Sequence, residues 1–482
     1  MSPLLFFVIL YIVVTVGIGL YASMRVKTST DFVLAGRSLP IYVTIATVFA
    51  TWFGSEAVLG VSGTFAAEGG NLGEIIADPF GAGLCLIFVG LFFAGPLYRL
   101  KLTTIADFYN KRYSRTVEVL ISIAICISYL GWVAAQVIAL GVVINEVSNQ
   151  AISIELGMFI GIASVLIYTV FGGMISVAVT DFVQMAVIII GVIVVAFMIS
   201  GRVEGGASAV IEYAAEKDKF KFFPEFSAIP LLAFFGSFIT LALGSIPQQD
   251  VFQRVMSAKS EKSAVWGTVI GGTFYMIFCF IPVFIAVAAT MIDPSYLEAD
   301  NGENIIPNFV IKEMPVFIQI IFFGALLSAI MSTASGTLLA PSAIFAENIL
   351  KETFNLNEKS LLLTLRLCVL GFGAIVFLYA YFSESQGLTI FEMVENAYLV
   401  TLCGAFVPLA FGVYWKRATN TGALTSIALG VTSWVIFEVY NLSVEETQIF
   451  PIPANVIGLF MAIVGMIVGS LISPAEPEKH LT

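Results

Sequence analysis

Charge is scarce in this chain. Of its 482 residues only 11% are Asp, Glu, Lys or Arg, less than half of the roughly 25% found in soluble globular domains. Histidine occurs once, at His480, so a His-based catalytic triad or zinc site is excluded. Five cysteines (Cys85, Cys126, Cys279, Cys368 and Cys403) sit inside apolar runs without a CxxC spacing. Neither a disulfide framework nor a thiolate metal centre is expected. There is no nucleophile–base pair, clustered metal-ligand set or glycine-rich phosphate loop, which makes an enzyme the least expected class. A net charge of −11 argues against nucleic acid as a partner.

What fills the sequence instead is apolar. Hydrophobic residues make up 59% of the chain and the mean hydropathy is +0.98. A water-soluble fold of this size has no interior large enough for that surface, so lipid is expected to be its solvent. The sequence reads as an all-α integral membrane protein. Thirteen apolar stretches are long enough to span a bilayer: 3–24, 40–66, 73–98, 116–147, 150–171, 175–200, 229–250, 263–292, 314–345, 361–383, 387–414, 422–441 and 454–474. The first has no basic segment before it and no clear cleavage site after it, and reads as a retained span. A short amphipathic surface helix is expected over 207–219.

The basic residues test this count. With the N-terminus outside and the spans alternating, 17 of the 22 Lys and Arg residues fall on the inner side. The other five (Arg202, Lys217, Lys219, Lys221 and Lys312) fall in the two longest outer loops, where the positive-inside rule is weakest. That pattern favours an odd number of spans, N-out and C-in. Outer loops are acidic at Glu298, Asp300, Glu303, Glu445 and Glu446, read chiefly as a solvated face.

Two spans carry polar and helix-breaking residues near their middles, Ala50-Thr-Trp-Phe-Gly-Ser-Glu56 and Gly244-Ser-Ile-Pro-Gln-Gln-Asp250. Backbone can leave the helix at bilayer depth only where it lines a protein-enclosed or watery cavity, and its freed carbonyls are then ligands for a cation. These spans are the second and seventh of thirteen. With the first set aside, each opens a group of five, and an odd group enters the membrane from the opposite side to its predecessor. That is a 5+5 inverted-repeat core with discontinuous first and sixth core helices. The expected division is an extra N-terminal helix and loop at 1–39, a first repeat and outer loop at 40–228, a second repeat at 229–420, and two further helices and a tail at 421–482. Gln248, Gln249 and Asp250 are alternatively an inner gate, and Gln386, Glu392, Glu395 and Asn396 an outer gate or a solvated helix end.

Several stretches together resemble the sodium/solute symporter family, with the leucine-transporter-type fold. They are Asp31-Phe-Val-Leu-Ala-Gly-Arg-Ser-Leu-Pro40, residues 50–60, Gly172-Gly-Met-Ile-Ser-Val-Ala-Val-Thr-Asp-Phe-Val-Gln184, Gln249-Asp-Val-Phe-Gln-Arg254 and Ala329-Ile-Met-Ser-Thr-Ala-Ser335. The resemblance implies a sodium site between the first and eighth core helices, formed by the carbonyls of Ala50, Phe53 and Ala329 with the hydroxyls of Ser332 and Thr333. About five neutral oxygens suit a hard monovalent cation that must also be released. Some relatives hold a second sodium through an aspartate and three serines. Asp181, Ser332 and Ser335 match three of these positions, and Gly336 replaces the last serine. Asp181 with Ser335 is left open between a second sodium and a proton.

For the solute, the candidates are Trp52, Glu56, Asp78, Trp132, Gln136 and Gln248. Indoles beside a carboxylate hold alkylammonium groups through cation–π attraction and charge. By eye these residues come nearest to the high-affinity choline transporter subfamily, which the resemblance implies shares Trp at 52 and 132. It has Trp where this chain has Gln248 and no acid at Asp78. The departures favour a solute with N–H or O–H donors, such as an amine, an amino acid or another small zwitterion or cation. A sugar or carboxylate is the alternative. The expected activity is sodium-coupled import by alternating access, by a monomer in a bacterial inner membrane. Competing classes are a channel, which would show ohmic non-saturating flux, and a sensor, which would bind without accumulating.

Overall fold

Ser2 accepts a hydrogen bond from the Leu5 amide at 3.1 Å and starts the first long helix. Such caps recur, at Ser114 and Ser153 and in capping boxes of Thr28 with Asp31 and Thr104 with Asp107. They satisfy amides that a helix start leaves unpaired. The computed structural model describes residues 2–297, 302–383, 389–443 and 452–475. Glu298, Asp300, Gln386, Glu445, Glu446 and His480 lie outside the described residues.

The long helices, in chain order, begin with α1 (Pro3–Ser23), α2 (Ile41–Trp52), α3 (Glu56–Ala66) and α4 (Ile76–Arg99). They continue through α5 (Arg115–Val147), α6 (Ile154–Ser200), α7 (Ala228–Gly244), α8 (Gln249–Ser257) and α9 (Glu261–Ile292). The last are α10 (Val316–Thr353), α11 (Glu358–Ser383), α12 (Ile390–Tyr414), α13 (Asn420–Asn441) and α14 (Ala454–Ile472). Among the described residues there is no strand beyond one isolated bridge, Leu39 to Ala258. The outer surface helix is present at Gly206–Glu216.

By length and composition 10 helices can cross a membrane, or up to 12 with each bent pair counted as one span. Two of the thirteen expected spans, 150–171 and 175–200, fall within the one element α6. Its 47 residues would run about 70 Å if straight, more than twice the ~30 Å hydrocarbon layer. Gly173, with φ 48° and ψ −140°, interrupts it. A Cβ there would also lie 2.3 Å from the Phe32 carbonyl, so glycine is demanded twice over. The interruption falls between the expected spans 150–171 and 175–200.

Burial separates core from periphery. In α10 every residue from 325 to 344 is buried. In α1, α11 and α13 few residues are buried, and large apolar side chains such as Val13, Leu363 and Val439 are exposed. In water such a surface would be a liability, whereas against acyl chains it costs nothing.

Both expected breaks are present. The pair α2 and α3 is bent by 59° and the pair α7 and α8 by 42°. In the first, Phe53 leaves the helical region (φ −92°, ψ 75°) before Gly54. In the second, Pro247 has no amide to donate and disfavours helix at the residue before it. The segment leading into α2 is stitched to the end of α8. Leu39 donates its amide to Ser257 O at 2.9 Å, Lys259 donates back to Leu39 O at 2.9 Å, and Gln253 Nε2 donates to Val33 O at 3.2 Å.

Candidate functional site

The last carbonyls of a helix have no intrahelical donor. Because α2 stops at Trp52, Ala50 O is one of these, and α10 supplies what the helix cannot. Ser332 Oγ donates to Ala50 O at 2.6 Å and to Ala329 O at 2.8 Å. Thr333 Oγ1 lies 3.5 Å from Ala50 O. Ala50, Phe53, Ala329, Ser332 and Thr333 are all fully buried. Four of the five expected sodium ligands are therefore linked by hydrogen bonds, and Phe53 stands at the helix end beside them. The donors are neutral oxygens, three carbonyls and two hydroxyls, which fits a sodium ion as a reversibly bound co-substrate.

Just beyond lies the second group. Glu56, at the start of α3 and 2% exposed, accepts from Gln136 Nε2 at 2.7 Å and from Trp132 Nε1 at 3.3 Å. Gln136 Oε1 in turn accepts from the Ser55 amide at 3.0 Å. Asp78 is buried near the start of α4 and accepts from the Tyr275 hydroxyl. Gln248 donates to Ser128 Oγ at 2.9 Å. Trp52 stands among Trp132, Tyr275 and Tyr398, with ring centroids at 5.7, 6.4 and 6.2 Å. Trp132 also stacks on Tyr129 at 6.1 Å. All six expected solute residues are thus buried together around one aromatic cluster.

Two sites meet at Gly54. A Cβ on that residue would come within 2.6 Å of both Glu56 Oε2 and Thr333 Oγ1 and within 2.9 Å of Gln136 Oε1. The glycine is what allows the hydroxyl of the sodium group and the carboxylate of the solute group to approach the same stretch of unwound backbone.

Other residues were harder to read. Asp250 was expected with Gln248 and Gln249, either in the break or at an inner gate. It accepts from Trp52 Nε1 at 3.1 Å and from the Tyr129 hydroxyl, which puts it in the aromatic cluster. Gln249 points elsewhere and accepts from the Ile105 amide at 2.8 Å. Tyr129, Tyr275 and Tyr398 join the cluster without any cue in the local sequence pattern that singles them out. Tyr129 lies one helical turn from Trp132, yet a tyrosine within an apolar span is otherwise silent. Glu392 forms a capping box with Thr389 and Glu395 accepts from Ser237 Oγ at 2.6 Å. Arg254, counted among the inner basic residues, is instead fully buried within α8.

Asp181 and Ser335 are also fully buried. Asp181 accepts from the Thr47 hydroxyl, and Ser335 Oγ donates to Ser332 O at 3.0 Å. Lys219 is 5% exposed and donates to the carbonyls of Phe65, Ala66, Ala67 and Gly70 at 2.8 to 3.2 Å. It closes the C-terminus of the second half of the first broken helix. Burial, reinforced by nearby Lys217, draws its pKa below the usual lysine value, while the four oxygens favour the ammonium form.

A membrane-embedded helical bundle with two broken helices, whose freed oxygens and buried acids converge on one centre, is a secondary active transporter. The chain belongs to the sodium:solute symporter family, which matches residues 32–430, and its activity is sodium-coupled symport of a small solute. The human high affinity choline transporter 1 is 26% identical over 445 residues, covering 88% of this chain and 75% of its own. An osmoregulated proline transporter of Bacillus subtilis is 25% identical over 491 residues, covering 98% and 96%. Among solved structures, a sodium-coupled sialic acid symporter in a substrate-bound outward-open state superposes with a TM-score of 0.84 at 20% identity, covering 98% of this chain and 99% of its own. A nucleobase–cation symporter in a closed conformation superposes at 0.59 with 13% identity, covering 93% and 96%. These two structures speak for the fold alone.

Proposed function

We propose that this symporter imports a small organic cation or zwitterion with N–H donors, driven by sodium bound at Ala50, Phe53, Ala329, Ser332 and Thr333. One observation carries the solute class. Two fully enclosed carboxylates, Glu56 and Asp78, accept from Trp132 and Tyr275 at the edge of the Trp52 ring cluster. Among the described residues neither has a Lys or Arg nitrogen within 4.0 Å, whereas the third acid, Asp250, has the buried Arg254 one turn away on the same helix. Enclosed anions without a partner cation are costly, and an ammonium group arriving with the solute would supply the missing charge. The rings add cation–π attraction, and Gln136 and Gln248 offer amides to a second polar group.

Coupling follows from Gly54. Sodium drawing on Ala50 O and Thr333 Oγ1 holds the unwound segment in the geometry that presents Glu56 to the solute. A ligand shifts only an equilibrium whose states it distinguishes, and here both ligands act on the same stretch of backbone, Ala50 to Glu56. The inner position of most basic residues supports an N-out, C-in orientation in a bacterial plasma membrane, with a single chain as the transporting unit.

A thermal-shift screen of the purified protein tests this reading. Amines and amino acids should raise the melting temperature in sodium and not in potassium. Stabilisation by sugars or simple carboxylates, with amines inert, would refute the assigned class and favour the neutral or anionic alternative.

A further inference from the structure

Between α4 and α5 runs a short helix, Ile105–Arg112, tied to its neighbours by unequal bonds. Its end is anchored to α12 and the turn after it. Tyr109 donates to Ala405 O at 3.0 Å, Tyr113 to Pro408 O at 2.7 Å, and the buried Arg112 to Gly412 O at 3.1 Å and Ala418 O at 2.8 Å. Its start is anchored to α10 and α5. Thr104 donates to Asn348 Oδ1 at 2.7 Å, and Asn348 Nδ2 donates to Asp107 Oδ1 and Glu118 Oε1 at 2.6 Å each. Bonds to a guanidinium or a carboxylate are the stronger kind. Towards α8 the link is a neutral one. The Ile105 amide, left unpaired by the helix start, donates to Gln249 Oε1 at 2.8 Å. On α8 itself a polar stripe faces dry packing. Gln249, Gln253 and Ser257 are spaced one turn apart and fully buried. Among the described residues Gln249 Nε2, Gln253 Oε1 and Ser257 Oγ find no hydrogen-bond partner. Buried polar atoms without partners are rare and costly.

We propose that this stripe is a wall of the solute passage at this end of the bundle, dry in the state seen here, and that the bond between Gln249 and Ile105 is the latch that keeps it shut. When α8 parts from the short helix, water reaches the three orphan atoms and supplies the hydrogen bonds they lack. The short helix stays with α10 and α12, because charge-assisted bonds hold it there and the neutral one yields first. α8 does not part alone. Arg254 Nη2 donates to Thr51 Oγ1 at 2.6 Å, in space that a side chain at Gly336 would fill, so α8 carries the end of α2 with it. Thr51 follows Ala50, whose carbonyl belongs to the proposed sodium site. Sodium held there steadies the latch, and this one arm rests on that site. Gln249 is a positioning residue that touches neither ion nor solute. Its neighbour Gln248 belongs to the solute group, so one turn of chain meets the solute on one side and the latch on the other.

Hydrogen–deuterium exchange of the purified full-length protein tests the latch, read at 103–113 and, at the far end of the first broken helix, at 63–72. Gln249→Leu removes the acceptor. Ile105→Pro removes the donor at a helix position where proline is tolerated. Either should speed exchange at 103–113 by about tenfold and slow it at 63–72, since a transporter that opens at one end closes at the other. Gln249→Glu, which can still accept, should keep the wild-type pattern. Ser257→Cys, followed at that residue by mass spectrometry, should react with a water-soluble maleimide several-fold faster when combined with either latch variant than by itself. Unchanged exchange at 103–113 overturns the proposal. So does faster exchange at both ends together, which marks a merely structural contact, and so does a thiol at position 257 that the latch variants leave unreactive. Should one latch variant not be recovered folded, the other decides. The wild type tests the sodium arm separately, because exchange at 103–113 should be slower in sodium than in potassium. Equal exchange in the two salts, with the variants behaving as expected, strikes the sodium assignment and upholds the latch.

Discussion

The two broken helices are interrupted by different means and offer different chemistry. Between α2 and α3 the break contains glycine, and what it presents is backbone, with Ala50 O turned to hydroxyls of α10. Between α7 and α8 the break contains proline, and what it presents is side chains, with Gln248 facing Ser128 and Asp250 facing Trp52 and Tyr129. Glycine lets other groups approach the main chain closely. Proline fixes the turn and leaves recognition to its neighbours. A cation of fixed size is served by carbonyls, and a solute of particular shape by side chains. The first break also carries Glu56, so on the proposed assignment it reaches both ligands.

That difference predicts where damage spreads. Gly54→Ala should have the largest effect, because its Cβ intrudes on Thr333, Glu56 and Gln136 at once. Overpacking of this kind costs about 1–3 kcal/mol, so sodium and solute affinities should both fall ~10–100-fold in titration calorimetry. A loss confined to one ligand would separate the sites that Gly54 is said to join. Ser332→Ala should come next, raising the sodium concentration for half-maximal uptake by about tenfold or more, since a ligand oxygen and two hydrogen bonds go together. Thr333→Ala should follow in the same direction. Unchanged sodium dependence in both variants would remove the site from α10.

Glu56→Gln sharpens the comparison from the solute side. It keeps the shape and removes the charge, which should weaken an ammonium solute by roughly 1.5–3 kcal/mol and leave the sodium midpoint within about threefold. Equal losses for both ligands would mean that the carboxylate serves the ion. The smallest effect is expected from Lys219→Met. It strips the cap from the C-terminal end of α3 and should lower the melting temperature by a few degrees, an unpaired carbonyl costing about 1–3 kcal/mol. Binding midpoints should stay put. A shifted solute midpoint would show that this cap also sets the position of Glu56.

Much of this was legible beforehand because lipid imposes a simple code. Apolar length marks a span, and polar residues with glycine or proline inside one mark a break. The residues named for sodium, Ala50, Ala329, Ser332 and Thr333, came from family resemblance and share hydrogen bonds. The six named for the solute lie around one aromatic cluster. Arg254 and the three tyrosines could not be read in this way. An arginine after an apolar stretch looks like a loop residue under any charge rule, and only packing against Thr51 and Gly336 reveals it as buried. Tyr129, Tyr275 and Tyr398 look like ordinary membrane aromatics until the helices bring their hydroxyls and rings beside Asp250, Asp78 and Trp52.

The sequence by itself determined the solvent, the helical character and approximate limits of most spans, and the two places where they must break. Those follow from local composition, since each span satisfies its own backbone and needs no distant partner. Which oxygens face which hydroxyls, which acids lack a cation, and why position 54 must be glycine were decided only by the tertiary structure. Each of these depends on atoms far apart in the chain, such as Ala50 and Ser332 or Thr51 and Arg254, and no local pattern encodes the distance between them.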